Sequence, residues 1–277
     1  PVSSTTHAAE SGGVNSVTTA TRTESRCILG VRVDATTYGG ATQQIVEWAH
    51  AAESHYVCLG TVNHIMVAHG CPEFSAVMEQ ASLVTSDGMP LVWLLRGLGI
   101  GRATRVYGPE LTPLVLEAAD AGGIEVGFYG GTDERLERLV AICRERFPRL
   151  KIAYANAPPF RELTAAEDAQ VVEEIREAGV RILFIGLGTP KQDRWMHSHR
   201  GRIPAVMLGV GAAFDFLTGA KPQAPRWMQQ NGLEWLFRLC TEPRRLWRRY
   251  LIQNPQFAAL AFMQLMRTRL DEYRRTA

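Results

Sequence analysis

Nothing in the 277-residue sequence is long and apolar enough to cross a bilayer as a helix, which takes about 18 to 20 residues. The best candidates, Ile203 to Leu217 and Phe257 to Met266, are too short or are interrupted by Asp215 and Gln264. No C-x-x-C pair occurs either. The five cysteines, Cys27, Cys58, Cys71, Cys143 and Cys240, are scattered and odd in number, which argues against a disulfide framework and fits a reducing cytoplasm. A D-x-D pair is also missing, so the two-carboxylate seat that many nucleotide-sugar enzymes give a divalent ion is not there, and neither metal nor other cofactor is expected. The G-x-G-x-x-G fingerprint with an acid about 20 residues on is absent as well, which disfavours a nicotinamide-dependent dehydrogenase.

What is present is an ordinary globular composition with an uneven charge distribution. Hydrophobic residues make up 46% and charged residues 21%, near the averages for soluble domains. The net charge of +2 hides an asymmetry: residues 226–277 hold ten arginines and four acids, whereas residues 1–225 hold 20 basic and 24 acidic side chains. A basic tail on an acidic body points to an anionic partner. Residues 1–26 are mostly Ser, Thr, Ala and Gly; they cannot bury enough surface to offset ordering entropy and lack the apolar core of a signal peptide, so a disordered tail is expected.

From Ile28 onward, strand-like runs (ILGVRV, HYVCLGTV, SLVTS, IEVGFYG, LKIAYA, RILFIGLG, PAVMLGV) alternate with amphipathic stretches at Thr37–Ala52, Pro109–Ala121, Asp133–Phe147 and Thr164–Ala178. That alternation predicts an α/β core over residues 27–225, a Rossmann-like, mostly parallel sheet with helices on both faces. After Pro225 only helical patterns remain, roughly Trp227–Cys240, Pro243–Gln253 and Pro255–Tyr273, so residues 226–277 form a helical appendage.

Ligands in open sheets of this type sit beyond the carboxyl ends of the strands, which selects the candidate residues. GLGTPKQDRW follows a strand and opens a helix, with Thr189 as N-cap and Pro190 as first helical residue; Gly186 and Gly188 let backbone amides approach an anion, and Lys191 and Gln192 stand beside it. FYGGTDERL makes a second such turn with Gly130 and Gly131, capped by Thr132 or Asp133. Either turn is also what a plain strand-to-helix connection needs. In VTSDGMP a strand delivers Asp87 to the start of a helix, where it is an N-cap or a general base for a sugar hydroxyl. Thr61 and Asn63 in TVNHIMV suit sugar recognition or capping, and His64 has no second ligand at metal-binding spacing. Without an ion, a departing diphosphate needs arginines, Lys191 and helix ends, and Arg105 is available. In the tail, Arg238, Arg245 and Arg248 are interleaved with Trp235, Leu239, Leu246, Trp247 and Leu251, the composition of a helix lying on an anionic membrane or of a packed helix with a basic side. No nucleic-acid-binding motif supports a third use.

Taken in order, TVNHIMV, VTSDGMP, RVYGPEL, GFYGG, GLGTPKQDRW, GVGAAFDFLTG, APRWMQQNGLEWLFRL and EPRRLWRRY closely resemble the WecG/TagA/CpsF glycosyltransferases, from about Ile28 to Tyr250. The resemblance implies an inverting, metal-independent enzyme that moves N-acetylmannosamine or a related hexose from a UDP-sugar to an undecaprenyl-diphosphate-linked acceptor, peripheral on the inner face of the cell membrane. It implies Asp87 as base with Arg105 as a second catalytic residue, substrate contacts from Thr61, Asn63 and Gln192, and diphosphate contacts from Arg238, Arg245 and Arg248 on an appendage that closes over the site. It also implies homo-oligomers whose contacts compete with appendage docking. Asp193 stands where many relatives have Glu, one methylene longer. The alternative from another class is a regulatory nucleotide-binding module without transfer chemistry.

Overall fold

The computed structural model describes residues 23–276. An antiparallel hairpin opens it, β1 (Ser25–Ile28) with β2 (Val31–Asp34). The single strand expected across ILGVRV is therefore two, because Leu29 and Gly30 both take positive φ, 47° and 93°, the conformation that lets a two-residue turn match strand twist. Of the tail expected over 1–26, residues 1–22 lie outside the described residues, and Ser25 and Arg26 belong to β1.

The main sheet consists of β3 (His55–Gly60), β4 (Leu83–Ser86), β5 (Glu125–Gly130), β6 (Lys151–Asn156), β7 (Ile182–Gly186) and β8 (Val206–Gly209), in the order β4-β3-β8-β7-β5-β6. Every neighbouring pair is parallel, as expected. Because successive strand residues point to opposite faces, Tyr56 and Cys58 of β3 enter one core and Val57 and Leu59 the other. Against the second core pack α1 (Tyr38–His50), α5 (Gly108–Gly122), α6 (Asp133–Arg146) and the short α9 (Ala213–Leu217). On the first lie α2 (Val62–Gly70), α3 (Pro72–Glu79), α4 (Met89–Gly97), α7 (Ala165–Glu177) and α8 (Lys191–His199). Local chemistry sets several starts: Thr37, Thr132 and Thr164 each accept from the amide three residues on at the head of α1, α6 and α7.

The chain runs from β3 to β4 on one side, crosses by α5 to β5 on the other, and returns β8 to the gap between β3 and β7. The crevice at that reversal lies beyond the carboxyl ends of β3, β8 and β7. The appendage covers it: α10 (Arg226–Gln230), α11 (Glu234–Thr241), α12 (Pro243–Arg248), a π-helical turn at Arg249–Gln253, and α13 (Asn254–Thr276). The helix expected over Trp227–Cys240 breaks at Gly232, which takes φ 68°, while the two later stretches run on through the π turn. Phe257 and Ala261 of α13 bury into the first core. Gln264 clamps the hairpin, its Nε2 donating to the Cys27 carbonyl (2.7 Å) and its Oε1 accepting from the Leu29 amide (3.1 Å).

Candidate active site

Thr61 follows β3 and Asp87 follows β4, so parallel pairing brings them to one rim. Asp87 does not cap the helix that follows it; Gly88 holds that position at α4. Its Oδ2 instead accepts from the amide of Gly108, the first residue of α5 (2.9 Å), and so satisfies an orphan donor at the positive end of a different helix. Only 15% of the Asp87 side chain is exposed, and burial raises its carboxyl above the usual range. Arg105 and the Gly108 amide oppose that rise, and Glu234 adds to it.

Arg105 stands over the Tyr107 ring, 3.9 Å from its centroid, with Nε donating to the Asp87 carbonyl. Its Nη2 reaches Glu234 Oε2 at 2.5 Å and lies 3.9 Å from Asp87 Oδ1. Glu234 comes from α11, also accepts from the Tyr107 hydroxyl (3.1 Å), and pairs with Arg238 one turn on (3.4 Å). A single appendage carboxylate thus ties together three core and appendage donors around Asp87. Reading the chain alone passed over Glu234; the signal was an acid four residues ahead of Arg238 in a segment dominated by arginine.

Two cavities meet at this rim and share Thr61, Asp87, Arg238 and Arg249 as walls. One runs under Met89, Pro90, Arg105, Glu234, Trp235 and Tyr250. The other, about 220 Å³, is walled by Tyr107, Gly188, Gln192, Gly211, Arg245 and Leu246. Among the described residues its charged walls are Arg238, Arg245, Arg249 and Asp87, an excess of positive charge suited to a multiply charged anion. A further recess continues it along both glycine turns, lined by Gly130, Gly131, Gly186, Gly188 and Arg245. Gly130 is fixed there by close approach, since a Cβ would lie 2.7 Å from the Gly186 carbonyl carbon. Gly188 takes φ 78°, and its amide donates to Gln192 Oε1 (3.0 Å), so the buried Gln192 holds the turn closed.

Several expected residues stand elsewhere. Lys191 is exposed on the first turn of α8 and lines none of these cavities, because Gln192 and Asp193 are the positions that turn inward. Asn63 is likewise not among their walls. Thr189 and Pro190 do not cap and open α8 as expected; the helix starts at Lys191, and the Thr189 hydroxyl meets His64 Nε2 at 2.9 Å. Arg248 is exposed and lies over Trp247, whereas Arg249 lines both cavities. The helical period explains the exchange: Arg245 and Arg249 are four apart and both line the arginine-walled cavity beside the buried Leu246 and Tyr250, although Arg245 stays exposed and pairs with Glu242. Among the described residues no group of three His, Cys, Asp or Glu side chains gathers to hold a metal ion.

Beyond the first cavity an apolar groove of about 640 Å³ continues between α4, α11 and α13, lined by Val62, Trp93, Leu233, Trp235, Leu251 and Phe262 among others. No described helix is long and apolar enough to cross a membrane. Comparison with known proteins adds a family and two relatives. The family model described as "Glycosyl transferase WecG/TagA/CpsF family" matches residues 26–271, taking in most of α13, which the motif resemblance left outside. An N-acetylglucosaminyldiphosphoundecaprenol N-acetyl-beta-D-mannosaminyltransferase of Bacillus spizizenii is 29% identical over 181 residues, 65% of this chain and 68% of the relative. A protein of the same description from Staphylococcus aureus is 28% identical over 224 residues, 80% of this chain and 86% of the relative.

Proposed function

Because the chain belongs to the WecG/TagA/CpsF glycosyltransferase family, we propose that it moves N-acetylmannosamine or a related hexose from a UDP-sugar to a saccharide on undecaprenyl diphosphate. One observation carries the assignment of parts. Asp87 stands at the junction between an arginine-walled cavity with glycine turns and a second cavity that opens into an apolar groove. The donor diphosphate suits the first, and the sugar end of a lipid-linked acceptor, with its chain leaving along the groove, suits the second.

Asp87 takes the proton from the acceptor hydroxyl as that oxygen bonds to the anomeric carbon. The bond from that carbon to the diphosphate breaks, and UDP leaves with the electron pair. Displacement from the opposite face inverts the anomeric centre. Arg238, Arg245, Arg249 and the amides of the glycine turns neutralise the charge that develops on UDP, so no divalent ion is needed. Arg105, held by Glu234 and Tyr107, keeps the Asp87 backbone in place. Contact with the inner face of the cell membrane through the basic, apolar appendage brings the enzyme to its acceptor.

The direct test incubates the full chain with a panel of UDP-sugars and a short-chain lipid-diphosphate saccharide in the presence of a chelator, and measures UDP release. Acceptor-dependent release that survives chelation is expected, with N-acetylmannosamine or a close relative as donor. UDP binding without release for any sugar would favour a regulatory nucleotide-binding module instead.

A further inference from the structure

The arginine-walled cavity is also lined by a histidine that the reaction above does not use. His64, at the third residue of α2, is 4% exposed. Its Nδ1 lies 3.2 Å from the Thr61 amide nitrogen and 2.9 Å from Thr61 Oγ1. Its Nε2 lies 2.9 Å from Thr189 Oγ1 and 3.4 Å from Asp193 Oδ1. A backbone amide can only donate and a carboxylate can only accept, so the neighbours assign the ring: lone pair on Nδ1, proton on Nε2.

Asp193 is fully buried, and neither of its oxygens meets a conventional hydrogen-bond partner. Besides His64 it neighbours the thiol of Cys58, a weak donor, which burial and then the Asp193 carboxylate hold well above its usual range. A carboxylate so bare is costly to bury, and the imidazole N–H, hydrogen-bonded to Thr189 Oγ1, is the polar hydrogen passing beside it. On the cavity side, Thr61 Oγ1 accepts from Arg249 Nη2 at 3.2 Å. With its oxygen taken by the guanidinium, the hydroxyl directs its own proton to Nδ1. Arg249 is carried by the π turn, and burial pulls its guanidinium below the usual range, so a fixed acceptor decides where it points.

We propose that Thr189, His64 and Thr61 form a hydrogen-bonded relay, with the Asp193 carboxylate beside the ring, that holds Arg249 toward an anionic diphosphate in the arginine-walled cavity, which makes His64 a positioning residue. The relay rests on the diphosphate reading of that cavity. It links the turn before α8, α2 and the appendage through side chains alone: the ring is held by Thr189 with Asp193 beside it, the hydroxyl by the ring, and the guanidinium by the hydroxyl. Asn at position 64 can place its side-chain oxygen where Nδ1 stands; Leu cannot.

The test measures inorganic pyrophosphate affinity by calorimetry on the full chain, for the wild type, His64→Leu, His64→Asn, Arg249→Met and the His64→Leu/Arg249→Met pair. His64→Leu is expected to weaken binding about tenfold, His64→Asn to recover most of that loss, and the pair to bind no worse than Arg249→Met alone. Imidazole nitrogen shifts of His64 are expected to put the proton on Nε2. Undiminished binding by His64→Leu, strictly additive losses, or a proton on Nδ1 would each overturn the relay. Should His64→Leu fail to fold, Thr61→Val carries the same expectation. Wild-type protein that binds neither pyrophosphate nor UDP would sink the diphosphate reading and the relay's role with it, whereas binding indifferent to His64 sinks the relay alone.

Discussion

At Asp87, the base in the proposed reaction, two demands compete: a base must be ionised to work, and burial favours its neutral form. Burial prevails over Arg105 and the Gly108 amide, so the carboxyl titrates above the usual range. Such a group contributes stability in its protonated form; that contribution is present below the unfolded pKa and is lost as pH rises through the folded one. The acid limb of kcat/KM is therefore expected above the normal carboxylate range. Glu234→Gln removes a negative neighbour that raises Asp87 and frees Arg105 to serve it, so the limb should move to lower pH; a pH-rate profile of the variant checks this. Asp87→Asn should cut kcat by about two to four orders of magnitude while leaving UDP affinity within about threefold, measured by turnover and titration. Asp87 was legible in the sequence because a D-G pair after a strand is a local pattern. Glu234 and Arg249 were not, because their meaning comes from the appendage bringing Glu234 to 2.5 Å from Arg105 and Arg249 to 3.2 Å from Thr61.

Among the elements, the glycine turns and the α13 clamp carry separable consequences. A Cβ at Gly188 meets nothing within 4 Å, so Gly188→Ala tests backbone conformation alone. At φ 78° the change should cost about 1–2 kcal/mol in denaturant unfolding and weaken UDP binding by loosening the amide from Gln192. Gln264→Ala strands the Leu29 amide and the Cys27 carbonyl, and should cost about 1–3 kcal/mol, with faster hydrogen exchange confined to β1, β2 and α13. The strands and the helices of the core were legible because burial on both faces writes short apolar runs and 3.6-residue periods into the chain. The hairpin was misread as one strand because ILGVRV keeps its apolar character across a turn that only the φ values of Leu29 and Gly30 make visible. The first appendage helix was read too long for a related reason: Gly232 interrupts a pattern whose apolar residues continue on either side.

Over the whole molecule, the appendage joins polar and apolar work. Its inner face supplies Glu234, Arg238, Arg245 and Arg249, while Trp227, Trp247, Leu251, Ile252 and Phe262 stay exposed on its outside, beside the exposed Trp93 of α4. A surface of this kind, on a segment with ten arginines and four acids, should bind vesicles containing anionic lipid and release them as salt rises. Phe262→Glu should weaken co-sedimentation without changing the melting temperature. Deleting residues 226–277 should weaken UDP affinity about tenfold or more, because three of the cavity's cations leave with the segment. Oligomers that compete with appendage docking would show the same loss reversibly, as a fall in UDP affinity with rising protein concentration.

The sequence by itself determined the class of fold, the strand ends at which chemistry had to lie, and the family, since these depend on local periodicity and on ordered short motifs. Tertiary structure alone decided that Asp87 caps α5 rather than its own helix, that Arg249 and not Arg248 turns inward, that Lys191 stays outside, and that Thr61 meets Arg249 and Thr189 meets His64. Each of those outcomes turns on an approach between segments 21 to 188 residues apart or on a helix phase set by packing. No spacing within a motif encodes either, because the partner that completes the contact is elsewhere in the chain.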